Sequence, residues 1–215
     1  LKDGDPEIRA QVARLAAEAQ IQNSAEQLEP LLEDSSPRVR FFAAEALEKL
    51  GAKNALPKMI EMAKASPEDA FLQHPVILAV SRMGDENLLK SLANDNEVAG
   101  RRIALLAMRR NTNAAVAQFL ADEKLAVEAA RAINDQPITE AFPKLAAFAV
   151  NAQTPKPVLW RVLNANFRIG GLEAAQRLAE FAAHKEYPEN LRAEALEMLA
   201  DWKKPDEVDR VVGLW

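Results

Sequence analysis

The chain has 215 residues, about half of them apolar, with 27 basic against 32 acidic side chains, a net charge of −5 and no cysteine. That balance argues against general binding to nucleic acid or an anionic membrane. The lack of thiols excludes disulfides, thiolate metal sites and covalent haem attachment within this segment.

Alanine and leucine dominate, while glycine and β-branched residues are sparse, so an all-helical chain is expected. No apolar run approaches membrane-spanning length, and no signal-peptide pattern is seen. The first helix is expected within residues 3–19, around Arg9. Its clearest copy runs from Asp34 to Gly51. There Ser36 before Pro37 is a helix-start signal, with the serine expected to cap an orphan backbone N–H. Val39, Phe42, Ala43, Ala46, Leu47 and Leu50 fall at helical spacing on one apolar face. Gly51 suits a left-handed helix end.

Shorter helices are expected between these, near Ala25–Leu32, Asn54–Ala65, Glu86–Ala93, Ala114–Ala121, Glu140–Val150 and Leu172–Ala183, with a last one from about Asp206. Prolines fall mostly at junctions, Pro205 among them. Pro30, Pro57, Pro75 and Pro143 lie inside or near the start of helical patterns, where kinks or shortened helices are expected.

Aligning the longer helices gives one register through Arg9, Arg40, Gln73, Arg101, Ala126, Leu159 and Arg192, at steps of 25 to 33 residues. A recurrence in this range is the mark of a solenoid of helix pairs. Where the register keeps arginine, an acid lies six positions earlier: Asp3, Asp34, Asp95 and Glu186. This spacing predicts a ladder of polar contacts between adjacent repeats, because a guanidinium can bond more than one oxygen.

The Asp, Pro, Val-Arg and Ala-Ala positions of residues 34–51 resemble the inner helix of HEAT repeats. A narrower resemblance rests on Phe71–Val80, Arg131–Asp135, Arg161–Gly170, Leu191–Leu196 and Asp209–Trp215. These segments are similar to the HEAT-repeat part of multidomain planctomycete-type bacterial proteins. In that type a sugar-dehydrogenase-like propeller precedes the repeats and a haem-binding cytochrome c domain follows them. The resemblance implies an extracytoplasmic or periplasmic location, with the redox chemistry in flanking domains. It carries no catalytic residue to this chain.

Candidate binding residues are few. Arg101, Arg102, Arg109 and Arg110 form the densest basic group, read either as a patch for an anion or an acidic partner or as Arg101 in the ladder with the others solvated or paired with nearby acids. His74 sits on an inner helix, where it lines a groove or serves as a hydrogen-bonded structural histidine; His184, near an outer helix end, is placed to meet the last carbonyls. Trp160 and Phe167 are candidates for an aromatic contact on a binding face. Asn164 and Asn166, with Asn134 one repeat earlier, lie in core-like helices and must find partners for their amides, in backbone, a neighbouring repeat or a ligand.

These observations predict an all-α, right-handed α-solenoid of about seven HEAT-like helix pairs, forming one domain over 1–215. The chain is expected to be excised from a longer one, since Leu1 opens within a repeat and Trp215 falls inside a helix. No catalytic, metal or cofactor site is expected, so the chain reads as a non-enzymatic scaffold or protein-interaction module. Its expected partners are another protein or flanking domains, with neither nucleic acid nor membrane insertion. Two other readings are a HEAT-like DNA-repair glycosylase, against which the charge argues, and a bilin-lyase-like protein that would bind pigment.

Overall fold

The computed structural model describes residues 1–203 and 208–214; the helix expected from about Asp206, the junction at Pro205 and Trp215 lie outside them. The described residues are helical, with no strand among them. They form two compact units, Leu1–Asn111 and Thr112–Trp215.

The first unit contains α1 (Pro6–Glu18), α2 (Ala25–Leu28), α3 (Pro37–Lys49), α4 (Leu56–Ala65), α5 (Ala70–Met83), α6 (Glu86–Ala93) and α7 (Val98–Arg110). The longer helices stack in sequence, α1 on α3, α3 on α5 and α5 on α7. The shorter ones pack against this stack: the turn after α2 on α3, α4 on α5, and α6 on α7. The second unit contains α8 (Ala126–Asn134), α9 (Phe142–Ala146), α10 (Lys156–Ile169), α11 (Leu172–Ala183) and α12 (Glu189–Ala200). Here α10 packs on α8, α9 and α11, and α11 packs on α12. The all-α, solenoid-like fold expected from the repeat is the one found.

Local chemistry sets the helix ends. Asp5, Asp69 and Asp85 cap α1, α5 and α6 through side-chain bonds to backbone N–H groups. Ser36 does not cap α3 as expected. Asp34 reaches over instead, its Oδ1 accepting from the Ser36 N–H at 2.9 Å. Gly51 has φ +69°, the left-handed geometry expected after α3.

Some of the shorter helices depart from expectation. After Pro30 the helix tightens into a 3-10 turn over Glu29–Glu33. Ala114–Ala121 is helical but wholly 3-10. α9 ends at Ala146, four residues early, and the Ala146 carbonyl accepts from buried Asn166 at 2.9 Å. α5, by contrast, runs unbroken through Pro75.

Packing follows from small residues. Ala13, Ala43, Ala44 and Ala46 are fully buried, which lets the stacked helices approach closely. In the second unit Leu159, Leu163, Phe167, Leu178, Phe181, Leu191 and Met198 form one cluster across α10, α11 and α12. Each large side chain so buried stabilises the fold by roughly 1.5–3 kcal/mol.

The register residue is the fourth of α1, α3, α5, α7, α10 and α12. The ladder exists, but its chemistry differs from the acid–arginine pairing expected. Arg9, Arg40 and Arg101 each donate Nη1 to the backbone carbonyl, not the carboxylate, of the residue six before: Asp3 at 2.7 Å, Asp34 at 2.8 Å and Asp95 at 2.8 Å. Each aspartate has turned its Oδ1 to the N–H two residues on, at Asp5, Ser36 and Glu97, which leaves the carbonyl facing the arginine. Gln73 bonds carbonyls in the same way, at Ala63 and Ser66. Arg192 bonds Ala182 O rather than any atom of Glu186.

The carboxylates serve contacts between repeats. Asp34 accepts both Nε and Nη2 of Arg9, at 2.8 and 2.9 Å. That fork holds the Asp34 carboxyl below its ordinary pKa. Asp95 accepts Lys64 at 3.0 Å. Lys64 also meets Glu97 at 2.9 Å, and its pKa is raised, first by Glu97 and then by Asp95.

Candidate functional site

Because the helices of the first unit stack in register, equal register positions fall in columns. The residues two before and one, five and nine after the register residue lie on one side of each helix, at spacings of three and four. On α3 these are Arg38, Phe41, Glu45 and Lys49; on α5, Phe71, His74, Leu78 and Arg82; on α7, Ala99, Arg102, Leu106 and Arg110. All are exposed or half-buried, so this stripe is the uncovered face of the stack.

The face carries an aromatic ledge. Phe41 meets Phe71 of the next helix edge-on, with ring centroids 6.5 Å apart, and meets Phe42 at 5.1 Å. The Arg38 guanidinium lies 5.2 Å from the Phe42 ring centre and pairs with Glu7 at 2.8 Å. Phe71 is 76 % exposed. A phenyl group left this open by a well-packed helix is uncommon and marks a contact surface when others adjoin it.

The expected site residues divide. His74 and Arg102 share a column with Phe41 on this face. Arg101 does not join them, since its Nη1 is committed to the carbonyls of Asp95 and Asn96. Arg102 lies 3.9 Å from Glu68. Arg109 and Arg110 occupy the last turn of α7, half-buried and exposed respectively, so the four arginines do not form one ridge.

In the second unit Trp160 is half-buried against the α10–α12 cluster, and its buried Nε1 has no hydrogen-bond partner among the described residues. Phe167, expected on a binding face, is instead 2 % exposed and packs on Trp202 with centroids 6.0 Å apart. Asn164 is fully buried. It donates to Asn134 Oδ1 at 2.8 Å and to Asp209 Oδ1 at 2.7 Å, so the two asparagines 30 positions apart meet on a buried carboxylate. His184 meets the helix-end carbonyls through its backbone N–H, while its ring lies edge-on to Tyr187 at 5.9 Å.

A hollow of about 270 Å³ opens beside Asn166, Arg177, His184 and Tyr187. Arg177 there is tied to Glu173 and Asn166 at 3.1 and 3.3 Å. Among the described residues no group of three or more His, Cys, Asp or Glu side chains is placed to hold a metal ion. No helix among them is long and apolar enough to cross a membrane.

The ledge went unseen in the sequence because Phe42 fits an apolar core stripe and Phe71 follows a degenerate helix start. The usable signal was the column itself: the position two before the register residue reads Glu7, Arg38, Phe71, which is surface chemistry in its first two members.

The fold and this uncovered face define a helical-repeat protein. Residues 1–74 match the family model of HEAT repeats. No curated protein sequence matches the chain. Among solved structures, human deoxyhypusine hydroxylase in complex with glycerol is similar at 19 % identity and a TM-score of 0.40, covering 94 % of this chain and 81 % of that one. The expectation that the chain is not an enzyme is corrected by this finding, since the protein so matched is an enzyme. At that distance no residue or activity is carried across.

Proposed function

We propose that the chain is a helical-repeat scaffold that binds a protein segment on the uncovered face of α3, α5 and α7. The observation that supports this most is Phe71, 76 % exposed and braced by Phe41. Aromatic side chains preorganised at a surface are the usual anchors of protein recognition. The partner is another protein or a flanking domain. The wider setting, a multidomain cytochrome c/dehydrogenase-type bacterial protein, rests on the sequence resemblance alone. A nucleic-acid role fits the face less well, because Arg38, Arg82 and Arg102 face the carboxylates of Glu7, Glu48 and Glu68 instead of forming an open cationic track.

Panning a displayed random-peptide library against the immobilised chain tests the proposal. Recovered peptides are expected to bind Phe71→Ser at least tenfold more weakly than wild type. Peptides that ignore this substitution, or a library yielding no binder, would refute it. Phe71 is so exposed that the serine variant should fold normally.

A further inference from the structure

The first and last helices each leave open a side that is buried elsewhere in the molecule. In α3 and α5 the residues one before and three and six after the register residue are buried: Val39, Ala43 and Ala46, then Leu72, Val76 and Ala79. On α1 the same positions hold Ile8, Val12 and Leu15, which are 47, 36 and 57 % exposed. The far side of α1, with Ala13 and Ala17, is buried, and α1 stacks on α3. The open positions are therefore those that meet the preceding helix of a stack, and no described helix precedes α1.

On α12 the pattern is reversed. Leu191, Ala195 and Met198, at those three positions, are buried. The residues four and eight after the register residue are buried in α1 as Ala13 and Ala17, and in α3 as Ala44 and Glu48. In α12 they are Leu196, 58 % exposed, and Ala200, also exposed. So α1 lacks the neighbour before it and α12 the neighbour after it.

The polar ladder adds charge complementarity between these two sides. Asp3 turns its Oδ1 to the Asp5 N–H at 2.9 Å, as Asp34 does to the Ser36 N–H at 2.9 Å. Asp34 then takes the guanidinium fork of Arg9 from the helix before it. The Asp3 carboxylate has no cation among the described residues. Arg192, the register residue of α12, spends Nε on the Ala182 carbonyl at 2.8 Å, and its Nη groups have no partner among the described residues. A guanidinium held at one nitrogen still presents Nη donors to a carboxylate.

We propose that copies of this chain associate head to tail, α12 of one copy stacking on α1 of the next, with Arg192 of the first paired to Asp3 of the second. Ile8, Val12 and Leu15 are then covered as Val39, Ala43 and Ala46 are within the chain. The contact joins two different surfaces, so a dimer keeps one free face at each end and association continues past two copies. It lies apart from the Phe71 face, and neither reading depends on the other.

Sedimentation equilibrium on the intact chain tests this. The average mass should rise above 23.7 kDa with concentration and pass that of a dimer. Leu15→Glu and Leu196→Glu should each be monomeric alone. Mixed in equal amounts they should form a dimer and nothing larger, because each supplies the face the other has lost. Both leucines are exposed, so both variants should fold, which circular dichroism checks. Asp3→Lys and Arg192→Glu should each weaken association roughly tenfold, and the two together in one chain should restore it. A wild-type chain that stays monomeric would overturn the inference and leave the α1 side to another occupant. Dimers of Leu196→Glu alone would overturn it by making α1 pair with α1, and dimers of Leu15→Glu alone by making α12 pair with α12. Association untouched by both charge reversals would overturn the Arg192–Asp3 pairing.

Discussion

Replacing Asn164 by leucine tests whether the buried amide–carboxylate network holds the second unit together. Asn164 Nδ2 bonds Asp209 Oδ1 at 2.7 Å and Asn134 Oδ1 at 2.8 Å, and Asp209 itself is 2 % exposed. The Asp209 Oδ2 accepts the backbone N–H groups of Val211 and Val212, so this carboxylate pins residues 208–214 against α8 and α10. Leucine is near in shape and removes both bonds. A bond to a charged group is worth about 2 kcal/mol and a neutral one about 1 kcal/mol. Against this, Asn164 Oδ1 is buried without a partner among the described residues, and removing it recovers about 1 kcal/mol. The net expectation is a loss of about 2 kcal/mol, from the same balance of bonds. Urea denaturation should show a lower midpoint with an unchanged slope. Trypsin should also cut faster after Arg210, whose guanidinium is otherwise held by Glu194, Glu197 and Asp201. A leucine variant as stable as wild type, or more so, would refute the network as a stabilising element. It would place it with those buried polar groups that a hydrophobic replacement improves.

Two further outcomes follow from the first unit. At Gly100 an added Cβ would clash with the Asp95 side chain, its carboxylate and Cβ alike, so Gly100→Ala should destabilise by about 1–3 kcal/mol despite alanine's better helix propensity; Asp95→Ala in the same chain should recover part of it, both read by thermal melting. Asp34 has a folded pKa below its ordinary value, chiefly through the Arg9 hydrogen bond, so its contribution is complete above the unfolded value near 4 and is lost as pH falls through the folded one. The stability gap between wild type and Asp34→Asn should therefore be constant from pH 8 to pH 5 and shrink below about pH 4 in urea titrations, and a gap unchanged at pH 3 would refute the Arg9–Asp34 rung.

Much of the architecture is legible in the amino-acid sequence. The register from Arg9 to Arg192 fell on α1, α3, α5, α7, α8, α10 and α12, with a polar residue in all but α8 and α10, where it holds Ala126 and Leu159. α6 and α11 fell at the expected bounds, since both are bounded by plain capping or glycine signals. The segment after Ala114 was legible as helical but not as 3-10, for an alanine-rich apolar run has no signal that separates i+3 from i+4 bonding.

Within the ladder, residue spacing alone shows that acid and arginine recur six apart. The packed fold adds that the arginine takes the carbonyl while the carboxylate of Asp34 serves the previous repeat. The reason is that the turn around each aspartate is local, whereas the partner its carboxylate takes comes from another repeat, for Asp34 the Arg9 guanidinium 25 positions away. The same holds for the face. Spacing shows which side of α3, α5 and α7 is apolar enough to pack, but which phenyl groups stay uncovered depends on what packs over each. Phe71 is exposed and Phe167 buried although both lie on apolar helices, because only Phe167 has α11 and α12 packed over it.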